Sequence, residues 1–182
     1  MSRGRCVLIG GGARSGKSSF ALERARALGA RRVFLATAEP FDDEMGERIA
    51  AHRTTRGADF TTVEEPLEVP RVLAQRQDAD VVVVDCLTLW ISNLLLRGDA
   101  PVAILAHVDE LVTTLARVPF HTVLVTNEVG MGVVPDNALA RSFRDLTGSA
   151  HQRLARVADE VHVAVLGLVL RLRPEPIQVH GA

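Results

Sequence analysis

Eight consecutive residues, Gly11, Gly12, Ala13, Arg14, Ser15, Gly16, Lys17 and Ser18, carry the most direct chemistry in this chain. The pattern Gly-x-x-x-x-Gly-Lys-Ser places glycines where backbone amides must turn inward around phosphate oxygens. Lys17 sets a compact charge on the β and γ phosphates of a nucleoside triphosphate. The Ser18 hydroxyl is suited to ligate Mg²⁺, and a helix beginning there adds its amide dipoles to the anion site. A chance glycine turn would need neither a strand before it nor a helix after it. Both are expected here, so the loop reads as a nucleotide phosphate cradle.

Three further constellations have chemical and plain structural readings side by side. Asp85 ends the run Val81, Val82, Val83, Val84. An acid at that point either holds Mg²⁺ in a phosphate-loop enzyme or caps the helix that follows. Arg48, His52 and Arg56 recur every four residues, with Arg53 alongside, and share one face of a helix. That face is either a solvated basic surface or a phosphate site whose positive charge keeps His52 neutral and nucleophilic. The loop from Thr126 through Asn127, Glu128, Gly130 and Gly132 follows a strand. It is either a tight turn or part of a ligand crevice in which Glu128 meets metal or substrate. His107, His121, His151, His162 and His180 are scattered and carry no functional expectation.

The elements that must position these residues follow from periodicity. Strands are expected at 6–9, 32–37, 60–63, 81–84, 122–126, 161–165 and 168–172. Helices are expected at 18–28, from Asp42 or Asp43 to about Thr55, and from Pro66 to about Gln77. Three more follow at 87–96, 102–117 and 137–158, the last with Gly148 as a candidate break. The valine run, apolar at every position, belongs in the middle of a parallel sheet with both faces covered. Alternating strands and helices imply an α/β fold with a mainly parallel sheet, in one domain spanning residues 1–182.

Composition narrows the function classes. The 21 basic and 22 acidic residues leave a net charge of −1, which gives no case for nucleic-acid or anionic-membrane binding. No run reaches the roughly 18 apolar residues of a membrane span, and the first residues lack a signal-peptide pattern. The cytoplasm is the expected location. Cys6 and Cys86, each in or beside an apolar run, read as buried free thiols.

Taken together, these stretches resemble the bifunctional adenosylcobinamide kinase/adenosylcobinamide-phosphate guanylyltransferases of cobalamin biosynthesis. The resemblance rests on the phosphate loop, Ala36 to Ala38, Asp42 to Met45, and Arg48 and Ile49 followed by His52. It continues through residues 62–66, Val84 to Trp90 with Asn93 to Leu95, Thr126 to Pro135, Asn137, and Arg144 with Asp145. It implies a P-loop NTPase-type, RecA-like three-layer fold, Mg²⁺, and a homotrimer. It also implies two reactions: phosphoryl transfer from ATP or GTP to adenosylcobinamide, then transfer of GMP from GTP through a guanylyl-histidine to give adenosylcobinamide-GDP. The histidine falls on His52, and Lys17 serves both steps. The nucleotide contacts fall on the phosphate loop, Ala36, Thr37, Ala38, Arg53, Thr54, Thr55, Arg56, Glu64 and Asp85, with the metal at Ser18 and Asp85. Where the family usually has Arg-Pro and then a tryptophan, this chain has Arg56-Gly57 and Phe60. A single-activity kinase or a nucleotide-driven regulator would require neither His52 in its setting nor the loop at 127–135.

Overall fold

Val81, Val82, Val83 and Val84 are almost wholly buried in the computed structural model, which describes residues 3–39, 46 and 57–175. Their strand, β4 (Val81–Asp85), sends alternate side chains to opposite faces. Val82 and Val84 enter one apolar cluster, and Val81 and Val83 enter the other. The same alternation divides Cys6 and Leu8 from Val7 and Ile9 in β1 (Cys6–Gly11).

The remaining strands are β2 (Arg32–Ala36), β3 (Thr61–Glu64), β5 (His121–Val125), β6 (Glu160–Val165) and β7 (Leu168–Arg173). They form a seven-stranded sheet in the order β3-β2-β4-β5-β1-β6-β7. Every pairing is parallel except β6 with β7, a hairpin closed by the two-residue turn Leu166 and Gly167. Both turn residues have positive φ, as a type I′ turn requires.

One face of the sheet carries α2 (Val69–Gln75), α3 (Leu87–Arg97), α4 (Pro101–Leu115) and α5 (Ala138–Val157). Their buried residues include Leu73, Trp90, Leu111 and Leu154. The other face carries α1 (Lys17–Leu28), through Ala21, Leu22 and Ala25, together with Phe60. The expected three-layer α/β arrangement is present. Pro70 sits in the first turn of α2, where a missing N–H costs no helical bond.

Helix α5 corrects one expectation, because it runs unbroken through Gly148. A mid-helix glycine costs about 1 kcal/mol relative to alanine. Burial of Leu146, Ala150 and Leu154 along the same helix outweighs that. Asn137 fixes the start of α5 by accepting the Ala140 N–H at 2.8 Å.

The two cysteines lie in opposite apolar clusters, separated by the sheet, and both are free. Burial pushes each thiol up to about 11, with Asp85 adding to the effect at Cys86. Both therefore remain thiols at neutral pH, as inert core residues do.

Charge pairs clasp the N-terminal edge of the sheet. Arg3 pairs with Asp159, Arg31 with Asp80, and both Arg5 and Arg24 with Glu160. Asp159 also accepts the Cys6 N–H at 2.7 Å, tying the start of β1 to the start of β6. Among the described residues, no helix is long and apolar enough to cross a membrane.

Candidate active site

The phosphate loop leaves the C-terminal end of β1 and enters α1 through Gly16, whose backbone is left-handed at φ 92°. Arg14 is also left-handed, at φ 54°. Gly11 is fixed by space: a Cβ there would lie 2.6 Å from the Ala164 carbonyl oxygen and 2.7 Å from Ser15 Oγ. Such distances exclude any side chain, so the loop packs directly on β6.

Lys17 is buried, and its ammonium donates to the Gly12 carbonyl at 2.9 Å. Ser15 Oγ is buried with no hydrogen-bond partner among the described residues. An unpaired hydroxyl beside a buried cation and the loop amides suits a phosphate oxygen. Ser18 is half-buried in the first turn of α1, while Gly12, Ala13 and Arg14 are exposed.

The register of the sheet brings the other sequence candidates that lie among the described residues to this edge. Glu64 pairs with Ala36, Ala36 with Asp85, Asp85 with Val125, and Val125 with Ile9, two residues before Gly11. One row therefore crosses five strands from Glu64 to the root of the loop, on the order of 19 Å at the usual strand spacing. Ala36, Ala38 and Asp85 are half-buried, and Glu64 is exposed. Thr37, fully buried, is a brace: its N–H donates to the Asp85 carbonyl and its hydroxyl bonds both polar backbone groups of Cys86. Arg48, His52, Arg53, Thr54, Thr55 and Arg56 lie outside the described residues.

The sequence assigns no individual role to Asn93 or Trp90 and does not foretell the contact made by Asn127. Asn93 donates to the carbonyls of Thr37 (2.8 Å) and Pro66 (3.1 Å), and Trp90 Nε1 donates to Leu67 (2.7 Å). Two side chains of α3 thus hold the segments that leave β2 and β3. The Asn127 side chain donates to Thr88 Oγ1 at 3.0 Å, joining the end of β5 to the start of α3.

Glu128 donates its backbone N–H to the Gly11 carbonyl at 3.0 Å, which ties the β5–α5 loop to the phosphate loop. His151 reaches the same place from α5. Its Nε2 lies 2.7 Å from Thr126 Oγ1 and its Nδ1 lies 3.8 Å from Glu128 Oε2. Burial lowers the His151 pKa, more than the Glu128 charge raises it, so the imidazole is neutral near pH 7. The available signal was position: His151 lies one helical turn beyond Thr147 and beside Ala150, on the buried stripe of α5. A polar side chain on such a stripe requires a partner.

A separate cavity of about 730 Å³ lies at the opposite edge, lined by Arg3, Arg5, Arg24, Asp159 and Glu160, already paired with one another.

Comparison with known proteins places the chain in a family. The family model described as "Cobinamide kinase / cobinamide phosphate guanyltransferase" matches residues 7–172. A relative from Pseudomonas aeruginosa, the bifunctional adenosylcobalamin biosynthesis protein CobP, is 43% identical, covering 93% of this chain and 98% of its own. The bifunctional adenosylcobalamin biosynthesis protein CobU of Escherichia coli K12 is 38% identical, covering 92% and 99%. Among solved structures, the RadB recombinase covers 97% of this chain and 86% of its own at 15% identity and a TM-score of 0.55, a likeness of fold alone. From the phosphate loop at its start to the β6–β7 hairpin at its end, this chain belongs to the cobinamide kinase/cobinamide phosphate guanyltransferase family of cobalamin-biosynthesis enzymes.

Proposed function

We propose that this enzyme phosphorylates adenosylcobinamide with ATP or GTP and then transfers GMP from GTP to the product through a guanylyl-His52 intermediate. The observation that carries the reading is the row from Glu64 through Ala36 and Asp85 to the phosphate loop, on one edge of the sheet. It offers one nucleotide a bed along its length.

In the first reaction the corrinoid hydroxyl oxygen bonds to the γ phosphorus, and the nucleoside diphosphate leaves with the electron pair of the broken P–O bond. In the second, a His52 ring nitrogen attacks the α phosphorus and pyrophosphate leaves. The corrinoid phosphate then displaces the histidine, and its phosphate together with GMP makes the GDP linkage. A covalent intermediate splits one hard transfer into two displacements.

Lys17 holds charge against the transferring γ-phosphoryl group and then against departing pyrophosphate. Ser15 Oγ and the loop amides orient the phosphates. Arg53, Thr54, Thr55, Arg56, Thr37, Ala38 and Glu64 belong to the proposed nucleotide contacts. Ser18 and Asp85 supply the hard oxygen donors that suit Mg²⁺, which needs only one or two protein ligands beside phosphates and water. Accordingly, no cluster of three or more His, Cys, Asp or Glu is required, and none occurs among the described residues. Mg²⁺, when bound, neutralises charge developing on the phosphate oxygens. A cytoplasmic homotrimer completes the proposal.

The deciding experiment incubates the protein with α-labelled GTP and Mg²⁺ without corrinoid. Acid-labile, alkali-stable protein label that disappears in His52→Ala is expected. Label that persists in the variant rules out His52 as the acceptor. A wild-type protein that takes no label yet phosphorylates adenosylcobinamide is a simple kinase.

A further inference from the structure

The proposed kinase step requires a proton to leave the corrinoid hydroxyl as its oxygen bonds to phosphorus. Strand order restricts where an acceptor can stand. β5 lies between β4, which ends at Asp85, and β1, which ends at the phosphate loop. A residue just beyond β5 therefore sits between the proposed metal site and the loop. Glu128 is that residue. Its backbone N–H and the Lys17 ammonium bond two successive loop carbonyls, those of Gly11 and Gly12.

The Glu128 carboxylate is held in a defined place. Oε1 accepts the Gly130 N–H, and Oε2 faces His151 Nδ1 at 3.8 Å. His151 is itself anchored by Thr126 through its other ring nitrogen. Gly130 leaves room for this arrangement, because a Cβ there would lie 2.9 Å from Oε1. No Lys or Arg among the described residues pairs with Glu128, and its side chain is 31% exposed. Its oxygens are thus oriented without being committed to a cation. Immediately beyond, Met131, Val133 and Val134 are 88%, 93% and 60% exposed, an apolar surface beside the carboxylate that suits a large organic substrate.

We infer that Glu128 is the general base of the kinase step, with His151 and the Gly130 amide as positioning groups; the inference rests on the function proposed above. The hydroxyl proton passes to the Glu128 carboxylate as the new O–P bond forms, the nucleoside diphosphate departs, and the proton is then released to water. The guanylyl-transfer step makes no such demand, since its nucleophile is an ionised phosphate. The two reactions therefore differ in their need for Glu128.

The test compares wild type, Glu128→Gln and Gly130→Ala in two assays. One uses γ-labelled ATP with adenosylcobinamide, and the other uses α-labelled GTP with adenosylcobinamide phosphate. The expected result is a kinase-to-guanylyltransferase rate ratio lowered ~100-fold or more in Glu128→Gln, the usual contribution of a general base. Gly130→Ala keeps the charge but pushes the carboxylate aside, and its ratio moves in the same direction. An unchanged ratio overturns the assignment, whether both rates persist or both fall together as they would for a metal ligand. A wild-type protein that modifies neither corrinoid defeats the proposed function itself. Wild-type activity with an unchanged ratio defeats only the role of Glu128.

Discussion

Thr37 and Cys86 are joined twice through one hydroxyl. The Cys86 N–H donates to Thr37 Oγ1, and that hydroxyl donates to the Cys86 carbonyl, each at 2.8 Å. The pair is wholly buried and follows directly on Asp85. Thr37→Val removes both bonds while keeping the shape, leaving a buried donor and acceptor without partners. We expect a loss of about 1–3 kcal/mol in urea unfolding, weaker nucleotide binding as Asp85 shifts, and recovery of both in Thr37→Ser. Full stability in Thr37→Val would show that the bridge is dispensable.

Gly11→Ala places a methyl group 2.6 Å from the Ala164 carbonyl oxygen, a backbone atom that cannot rotate away. The strain of an overpacked site, about 1–3 kcal/mol, falls where the phosphate loop leaves the sheet. A lower thermal midpoint should accompany weaker binding of a fluorescent GTP analogue. Unchanged affinity at unchanged stability contradicts the close packing of the loop on β6.

Lys17→Ala tests whether one cradle serves two phosphorus centres. If it does, phosphoryl and guanylyl transfer both fall, each by about 100- to 1000-fold, as when an enzyme loses one preorganised charge-stabilising donor. Loss of the kinase rate alone would place GMP transfer at a separate site.

Asp80 gives a pH dependence confined to stability. The Arg31 guanidinium, followed by the Arg31 and Ala30 backbone amides, brings the Asp80 carboxyl from its ordinary 3.8 down to about 2. A depressed carboxylate pKa stabilises the fold above the unfolded value and loses that contribution as pH falls through the folded one. The advantage of wild type over Asp80→Asn in urea midpoint should be complete at pH 5 and decline between about pH 4 and 2. An advantage that grows on acidification has the wrong sign for this clasp.

Much of this arrangement was legible before the fold was known. The run from Val81 to Val84 required two covered faces, and it has them. The spacing from Gly11 to Ser18 predicted the strand, loop and helix around it. Strand order was not legible, because no local pattern states that β5 inserts between β4 and β1. The loop at Glu128 was legible as lying on the edge that holds Lys17 and Asp85, but its direct bond to the Gly11 carbonyl was not, and His151 was one scattered histidine among several. The resemblance implied Thr37 as a nucleotide contact, and nothing in the sequence showed that its hydroxyl braces Cys86. Such roles depend on contacts from 25 residues apart, Thr126 to His151, to 117 apart, Gly11 to Glu128, which periodicity does not encode. The helix face of Arg48, His52 and Arg56 lies outside the described residues.

The clasps at the N-terminal edge, Arg3 with Asp159 and Arg31 with Asp80, stand a full strand length from Lys17, Asp85 and Glu128. The clasps can therefore change without touching the phosphate loop, whereas Thr37 and Gly11 bear on stability and nucleotide binding together. A laboratory lineage selected at rising temperature is free to alter the clasps while the phosphate loop stays as it is. Under the proposed function, a lineage selected on an altered corrinoid changes instead the exposed apolar residues Met131, Val133 and Val134.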